Sequence, residues 1–346
     1  MTRIAAIAPV LPEHSYSQAE ISAAIHPLLV PDPSHRALIE RMYSSSTVER
    51  RYCALPLERY RDLGSLTESN AEWVAAAVRL GELAVRTALD DAGIGVDEVD
   101  LLLFTSVTGV AAPSVDALIA ERLGMRSDLK RWPSFGLGCV AGAAGLARVN
   151  DFLESRPTGV AVLLAVELCS LTLQPSDQSV ANFVASGLFG DGVAAVVLLG
   201  DEHPKARGPR IAATRSALVP ESQDVLGFTL VTTGFEIVLT AEVAGVIERA
   251  FPAELAAVLD GRSLDGLAMV AHPGGPRILD AFASALDLPR ERFARSWESL
   301  AAKGNLSSAS VLHVLADTLD AGEHDALVFA VGPGVTAEFV LLEAVT

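Results

Sequence analysis

The stretch CVAGAAGLARVNDFL (139–153) reads as a helix, and 166 residues later NLSSASVLHVLADTL (305–319) reads as another. The same offset links two buried-strand runs, LLLFTSVTG (101–109) and LAMVAHPGG (267–275). It also links GVAVLLAV (159–166) to DALVFAVG (325–332). Three gap-free matches at one spacing describe a duplicated strand–helix–strand unit. The expected fold class is therefore α/β, with two pseudo-symmetric halves, each a mixed, mostly parallel sheet covered by helices. The polar segment GDEHPKARGPR (200–210), carrying Pro204 and Pro209, makes the natural boundary. It gives an N-terminal half over 1–205 and a C-terminal half over 206–346. About twenty residues, CSLTLQPSDQSVANFVASGL (169–188), have no counterpart in the second half and suit a pocket wall or lid.

The repeat places chemistry as well as elements. Cys139 and Asn305 take equivalent positions, each expected as the first residue of a helix after a glycine (Gly138, Gly304). His272 falls at the end of a core strand, just before PGG. Strand ends and helix starts converge on the edge where α/β sheets bind ligands. Each residue alone has a plain structural reading. A cysteine among glycines fills space in a packed core, a strand-end histidine is a hydrogen-bonded core residue, and asparagine is a good helix cap. A helix start would instead lower the Cys139 pKa and favour thiolate. Together the three can form a thiol acyl acceptor with two donors for an oxyanion. No Asp or Glu is expected beside them, since a carboxylate would repel an enolate.

Composition narrows the classes. Of 346 residues half are hydrophobic and 20% charged, the mean hydropathy is +0.37, and the net charge is −17. Such acidity speaks against nucleic acid as a partner. Apolar runs such as GVAAVVLLG (192–200) are too short to span a bilayer, and Pro9 and Pro12 interrupt the N-terminus before any signal core. Cys53, Cys139 and Cys169 lack the spacing of a disulfide framework or a zinc site, so no metal is expected and a cytoplasmic, reducing setting is.

Six motifs in order, GLGCVAGAAGL around Cys139, LFGDG (188–192), TGFEIVL (233–239), AHPGGPRILD (271–280), KGNLSSASVL (303–312) and VGPGVTAEFVLL (331–342), resemble those of the type III polyketide synthases, the chalcone synthase-like branch of the thiolase-fold condensing enzymes. The resemblance covers most of the chain. It implies a thiolase-like fold, no cofactor beyond coenzyme A thioester substrates, and a homodimer. An acyl starter would load onto Cys139; malonyl-CoA would decarboxylate against His272 and Asn305, its enolate would extend the chain, and the polyketide would cyclise. By the same carry-over Phe189 and Phe235 would gate the cavity. Glu167, Cys169, Thr172 and Ser307 would line it, the loop Gly332, Pro333 and Gly334 would shape it, and Arg41 would grip coenzyme A phosphate.

The chain also departs from the pattern. Leu38 and Ser45 stand where lysines would be expected, which leaves Arg36, Arg50 or Arg51 as substitute phosphate contacts and leaves an acyl carrier protein open as starter donor. The acidic charge mildly disfavours such a carrier. Ala111 and Ala112 replace an acidic residue and a methionine, and Cys169 replaces a cavity threonine. These small residues most resemble bacterial members that take fatty acyl starters to alkylresorcinols or alkylpyrones. The rivals are a single-round ketoacyl synthase III, a 3-hydroxy-3-methylglutaryl-CoA synthase and a non-catalytic acyl-binding subunit of the same fold. Against the first stands Pro273-Gly274-Gly275, where that enzyme type has glutamine, alanine and asparagine. The second would want a catalytic glutamate in the first half and a different helix start. Against the third stands the complete set of Cys, His and Asn.

Overall fold

The fully buried runs VAVLLAVEL and ALVFAVG are strands with no solvent face, as continuous apolar segments at the centre of a helix-covered sheet must be. The computed structural model describes residues 1–29 and 36–345, with the backbone alone for 36–38. Its strands are β1 (Thr2–Val10), β2 (His14–Ser17), β3 (Arg50–Cys53), β4 (Leu101–Thr105), β5 (Lys130–Ser134), β6 (Val160–Leu168) and β7 (Asp191–Gly200) in the first half. The second half carries β8 (Arg210–Leu218), β9 (Leu226–Val231), β10 (Gly234–Leu239), β11 (Ala268–Ala271), β12 (Ala326–Gly332) and β13 (Thr336–Glu343). The helices are α1 (Gln18–Leu29), α2 (Arg36–Ser45), α3 (Leu66–Ala92), α4 (Val115–Leu123) and α5 (Ala141–Glu154), followed by α6 (Val180–Leu188), α7 (Val243–Leu259), α8 (Pro276–Leu286), α9 (Ala294–Lys303) and α10 (Ser310–Asp320).

Nine strands form one sheet in the order β11-β12-β13-β8-β1-β7-β6-β4-β5. The duplication is visible in that order. β5, β4, β6, β7 and β1 belong to the first half, and β11, β12, β13 and β8 mirror four of them. Parallel pairing occupies the outer part of each half, β4 with β5 and β6 and β11 with β12, and the strands between pair antiparallel. The expected two sheets are continuous, because β1 and β8 pair at Thr2↔Ile211 and Arg3↔Arg210.

Helices α5 and α10 lie between the halves. Val140, Ala143 and Leu146 share one core with Val311, Leu312 and Leu315, and with β6 and β12 from opposite halves. Helices α3 and α4 cover the outer face of the first half, while α7 and α8 cover that of the second. The close approach of α5 to the start of α10 depends on Gly142, where an added Cβ would stand 2.2 Å from the Ser308 carbonyl oxygen. That contact brings the Cys139 end of one helix against the Asn305 end of the other.

The expected helix starts shift by a few residues. Cys139 lies in a 3-10 turn, Gly138–Val140, that runs into α5. Asn305 is not helical; it forms a bridge with Phe189, ahead of a 3-10 turn at Ser307–Ala309. Its side chain explains the delay: Oδ1 accepts the Ser307 N–H at 2.8 Å and so caps that turn from outside.

Replacing Gly142 by alanine drives a methyl into backbone that cannot step aside. The Gly142→Ala protein is expected to lose about 1–3 kcal/mol of stability, with a lower thermal midpoint and less product per folded molecule. An unchanged midpoint would show that the two helices are not in hard contact there.

Candidate active site

Four segments meet at the helix starts. The Cys139 turn is supported from below by the loop at Gly332–Gly334. Gly138 has φ +55°, and a Cβ there would lie 2.7 Å from Pro333 Cδ. The Cys139 thiol donates to Ser307 Oγ at 3.6 Å. The Ser307 N–H is held by Asn305 Oδ1, and Asn305 Nδ2 donates to the Gly274 carbonyl at 3.1 Å. Gly274 in turn lies against the His272 ring: a Cβ there would be 3.2 Å from Cδ2 and 3.3 Å from Nε2. His272 leaves β11 with its N–H on the Phe329 carbonyl, and its Nδ1 has no partner. His272, Asn305 and Ser307 are all buried. Cys139, His272 and Asn305 thus converge through Ser307 and Gly274.

Burial governs protonation at the site. Cys139 is half-buried, yet removal from water pushes its thiol up to about 12, with the nearby Glu167 charge acting the same way. Desolvation alone takes His272 down to about 3. Burial thus works against the thiolate that a helix start favours, because one short turn and α5 stand against the lost hydration. The same burial favours a neutral imidazole, ready to take the sulfur's proton.

A carboxylate does stand near the three, against the expectation that none would. Glu167, at the end of β6, is fully buried behind Ser307. Oε1 accepts from Ser308 Oγ at 2.5 Å and Ser307 Oγ at 3.4 Å; Oε2 accepts from Val107 N at 3.2 Å and Thr108 Oγ1 at 3.0 Å. Burial raises its pKa to about 7 against the pull of these donors, which leaves it about half neutral near pH 7. Glu167 is accordingly no cavity wall, since hydroxyls and an N–H consume both its oxygens.

The cavity beside Ser307 is lined by Thr108, Cys169, Thr172, Phe189, Phe228 and Phe235, among others. Cys169, Thr172, Ser307, Phe189 and Phe235, all singled out in the sequence, come together around this one cavity. Phe228 and Ile237 were missed; both lie on the β9–β10 hairpin, where alternation marks one face without saying what it covers. Gly332 and Pro333 pack against the Cys139 turn, Gly334 lies by Leu218, and none of the three lines this cavity. Arg41 is exposed on α2, and Ala112 lies on an exposed loop. The side chains of Arg36 and Leu38 are outside the described residues. Arg51 is buried and bonded to carbonyl groups, which removes it as a surface phosphate contact. The 169–188 segment contributes Cys169, Thr172, Asn182 and Ala185 to the wall, as an insertion without a counterpart suggested. No group of His, Cys, Asp and Glu able to hold a metal ion occurs among the described residues, and no helix there is long and apolar enough to cross a membrane.

Comparison with known proteins places this geometry in context. The family models for chalcone and stilbene synthases match residues 1–202 (N-terminal domain) and 210–346 (C-terminal domain). A 1,3,6,8-tetrahydroxynaphthalene synthase of Streptomyces peucetius subsp. caesius is 46% identical over 99% of this chain and 93% of its own length. The enzyme of that name from Streptomyces griseus is 34% identical over 88% and 82%. The crystal structure of the tetrahydroxynaphthalene synthase of Streptomyces coelicolor A3(2), a bacterial type III polyketide synthase, superposes with a TM-score of 0.92 at 30% identity, covering 99% of both chains.

The raised Glu167 pKa carries a testable stability dependence. The free side chain titrates near 4.3, so its neutral form contributes fully below that pH, and the contribution is lost as pH rises through about 7. Unfolding free energies of Glu167→Gln and wild type should therefore shift in the variant's favour by about 1.4 kcal/mol per pH unit between pH 5 and 7, then run parallel above pH 8. A difference constant across that range would contradict the assignment.

Proposed function

The chain belongs to the chalcone and stilbene synthase family, the type III polyketide synthases, and on that premise we propose that Cys139, His272 and Asn305 carry its condensing reaction. Members of the family are acyl-transferring enzymes that use acyl-CoA and malonyl-CoA, need no cofactor besides these thioesters, and are typically homodimeric. The observation that carries the assignment of roles is the bonded run Cys139–Ser307–Asn305–Gly274 beside His272.

In the first half-reaction Cys139 Sγ attacks the starter thioester carbonyl. Its proton passes to His272 as the bond forms, which avoids a bare thiolate in a dry site. Coenzyme A leaves as its thiol, taking that proton from His272, and the acyl group remains on the Cys139 sulfur. Malonyl-CoA then occupies the same place. Asn305 Nδ2 has two hydrogens: one is on Gly274, and the other, on the Cys139 side, can turn to the thioester oxygen; His272 supplies the second donor. Loss of carbon dioxide leaves an enolate that attacks the acyl-enzyme and regenerates the sulfur. Glu167 stands against that enolate as it does against a thiolate, but burial raises its pKa and hydroxyl donors hold its oxygens, which weakens the repulsion.

For the starter and product, the reading best supported is a chain built from malonyl units alone and closed to 1,3,6,8-tetrahydroxynaphthalene, after the relatives at 46% and 34% identity. A fatty acyl starter leading to an alkylresorcinol or alkylpyrone is the second reading. It is favoured by a side chamber with Ile21, Ile25, Leu57 and Leu173 in its wall, which shares Cys169, Thr172 and Phe189 with the main cavity. The volumes, about 30 Å³ and 60 Å³, hold only a few water molecules, so either product requires the walls to move apart. Coenzyme A is taken as the carrier, and the surroundings as the cytoplasm; a net charge of −17 repels an acidic carrier protein.

Two measurements test this. Intact mass after incubation with acyl-CoA should show an acyl adduct on wild type and none on Cys139→Ala, whereas Asn305→Ala should load nearly normally and lose about 10²-fold or more in malonyl-CoA decarboxylation. Adduct persisting on Cys139→Ala, or equal losses in both half-reactions, would overturn the roles. Product analysis by mass spectrometry should find tetrahydroxynaphthalene with malonyl-CoA as sole substrate. Product formed only after a long-chain acyl-CoA is added would decide for the second reading.

A further inference from the structure

Arg51, on β3, is 5% exposed and makes no direct ion pair among the described residues, although its charge reaches Asp191 and pulls that carboxyl's pKa down. Burying a guanidinium without an ion pair costs several kcal/mol unless dipoles replace the lost water. The dipoles here are specific. Nη1 donates to the carbonyls of Ser186 at 2.7 Å and Phe189 at 2.8 Å, and Nε donates to Gln18 Oε1 at 3.0 Å. Gln18 completes the set through Nε2, which donates to the Gly187 carbonyl at 2.6 Å. The carbonyls of Ser186, Gly187 and Phe189, at the C-terminal end of α6 where helix carbonyls lack partners and the dipole is negative, are thus capped from β3 and α1.

The capped strip is the one on which the active site rides. Asn305 N–H donates to the Leu188 carbonyl and Gly190 N–H to the Asn305 carbonyl, both at 2.9 Å, while Phe189 lines the cavity. On its far side the strip is also fixed by Asp191, which accepts from Ala54 N and Ser170 N. The Cys139 turn has no bond to the Arg51–Gln18 pair and rests instead on Pro333. We propose that Arg51, braced by Gln18, is a positioning residue that sets the register of Phe189 and Asn305, and hence acts on malonyl-CoA decarboxylation and not on starter loading. The inference rests on the role proposed for Asn305.

The test uses Arg51→Lys and Gln18→Leu in the full-length protein. An ammonium cannot reach two carbonyls and Gln18 at once, so Arg51→Lys keeps charge and loses the fork. It is expected to slow malonyl-CoA decarboxylation about 10- to 100-fold while acyl loading on Cys139, read by intact mass, changes about 3-fold at most. Hydrogen exchange at the Gly190 and Asn305 amides should quicken. Gln18→Leu should show the same split more weakly, and it decides the matter if Arg51→Lys does not fold. Equal loss in both half-reactions in step with lost folded protein, or unchanged exchange and decarboxylation, would overturn the proposal. Loading and decarboxylation by wild type in the same assay check the underlying roles separately.

Discussion

Everything at the active site follows from one steric contact, the face of Gly142 against the Ser308 carbonyl. A duplicated fold supplies two equivalent helices, but equivalence alone does not make them meet. A side chain at position 142 would hold them apart by the width of a methyl group, and Cys139 would no longer reach Ser307. With glycine there, the two helix starts share a dry interior whose cost is offset by the apolar residues packed along α5 and α10.

That dryness sets the chemistry. It raises the thiol, lowers the imidazole and keeps Glu167 partly neutral, so the resting site bears little charge. Hydrogen bonds inside such a site are stronger than in water, and donors fixed in advance need no reorganisation when an enolate forms. The fixing is done by neighbours: Gly274 holds the Asn305 amide, and the Phe189 strip holds its backbone.

Much of this was legible in the sequence, and the reasons are particular. The strand runs at 101, 159, 267 and 325 are apolar throughout because both faces are buried, so their repeat survives low identity. Cys139, His272 and Asn305 sit at element ends that the repeat fixes. What the sequence hid depends on third dimensions. Glu167 follows a strand and looks like a wall residue, yet its side chain turns behind Ser307 to meet donors from two segments, Ser106–Thr108 and Ser307–Ser308. Gly332, Pro333 and Gly334 look like a cavity loop, yet the first two pack against the nucleophile's turn. The burial that works against the Cys139 thiolate is hidden as well, because a helix start is visible in a sequence and desolvation is not. Arg51 was grouped with surface arginines, since nothing local distinguishes it from Arg50 beside it.

The central claim is that one point in the cavity is within reach of sulfur, imidazole and carboxamide together. A crystal structure of the protein with a malonyl-CoA analogue that cannot decarboxylate tests this most directly. The account predicts the thioester oxygen within hydrogen-bond distance of both His272 Nε2 and Asn305 Nδ2, on the Cys139 side of Phe189. A thioester bound with its oxygen turned away from either donor would contradict it.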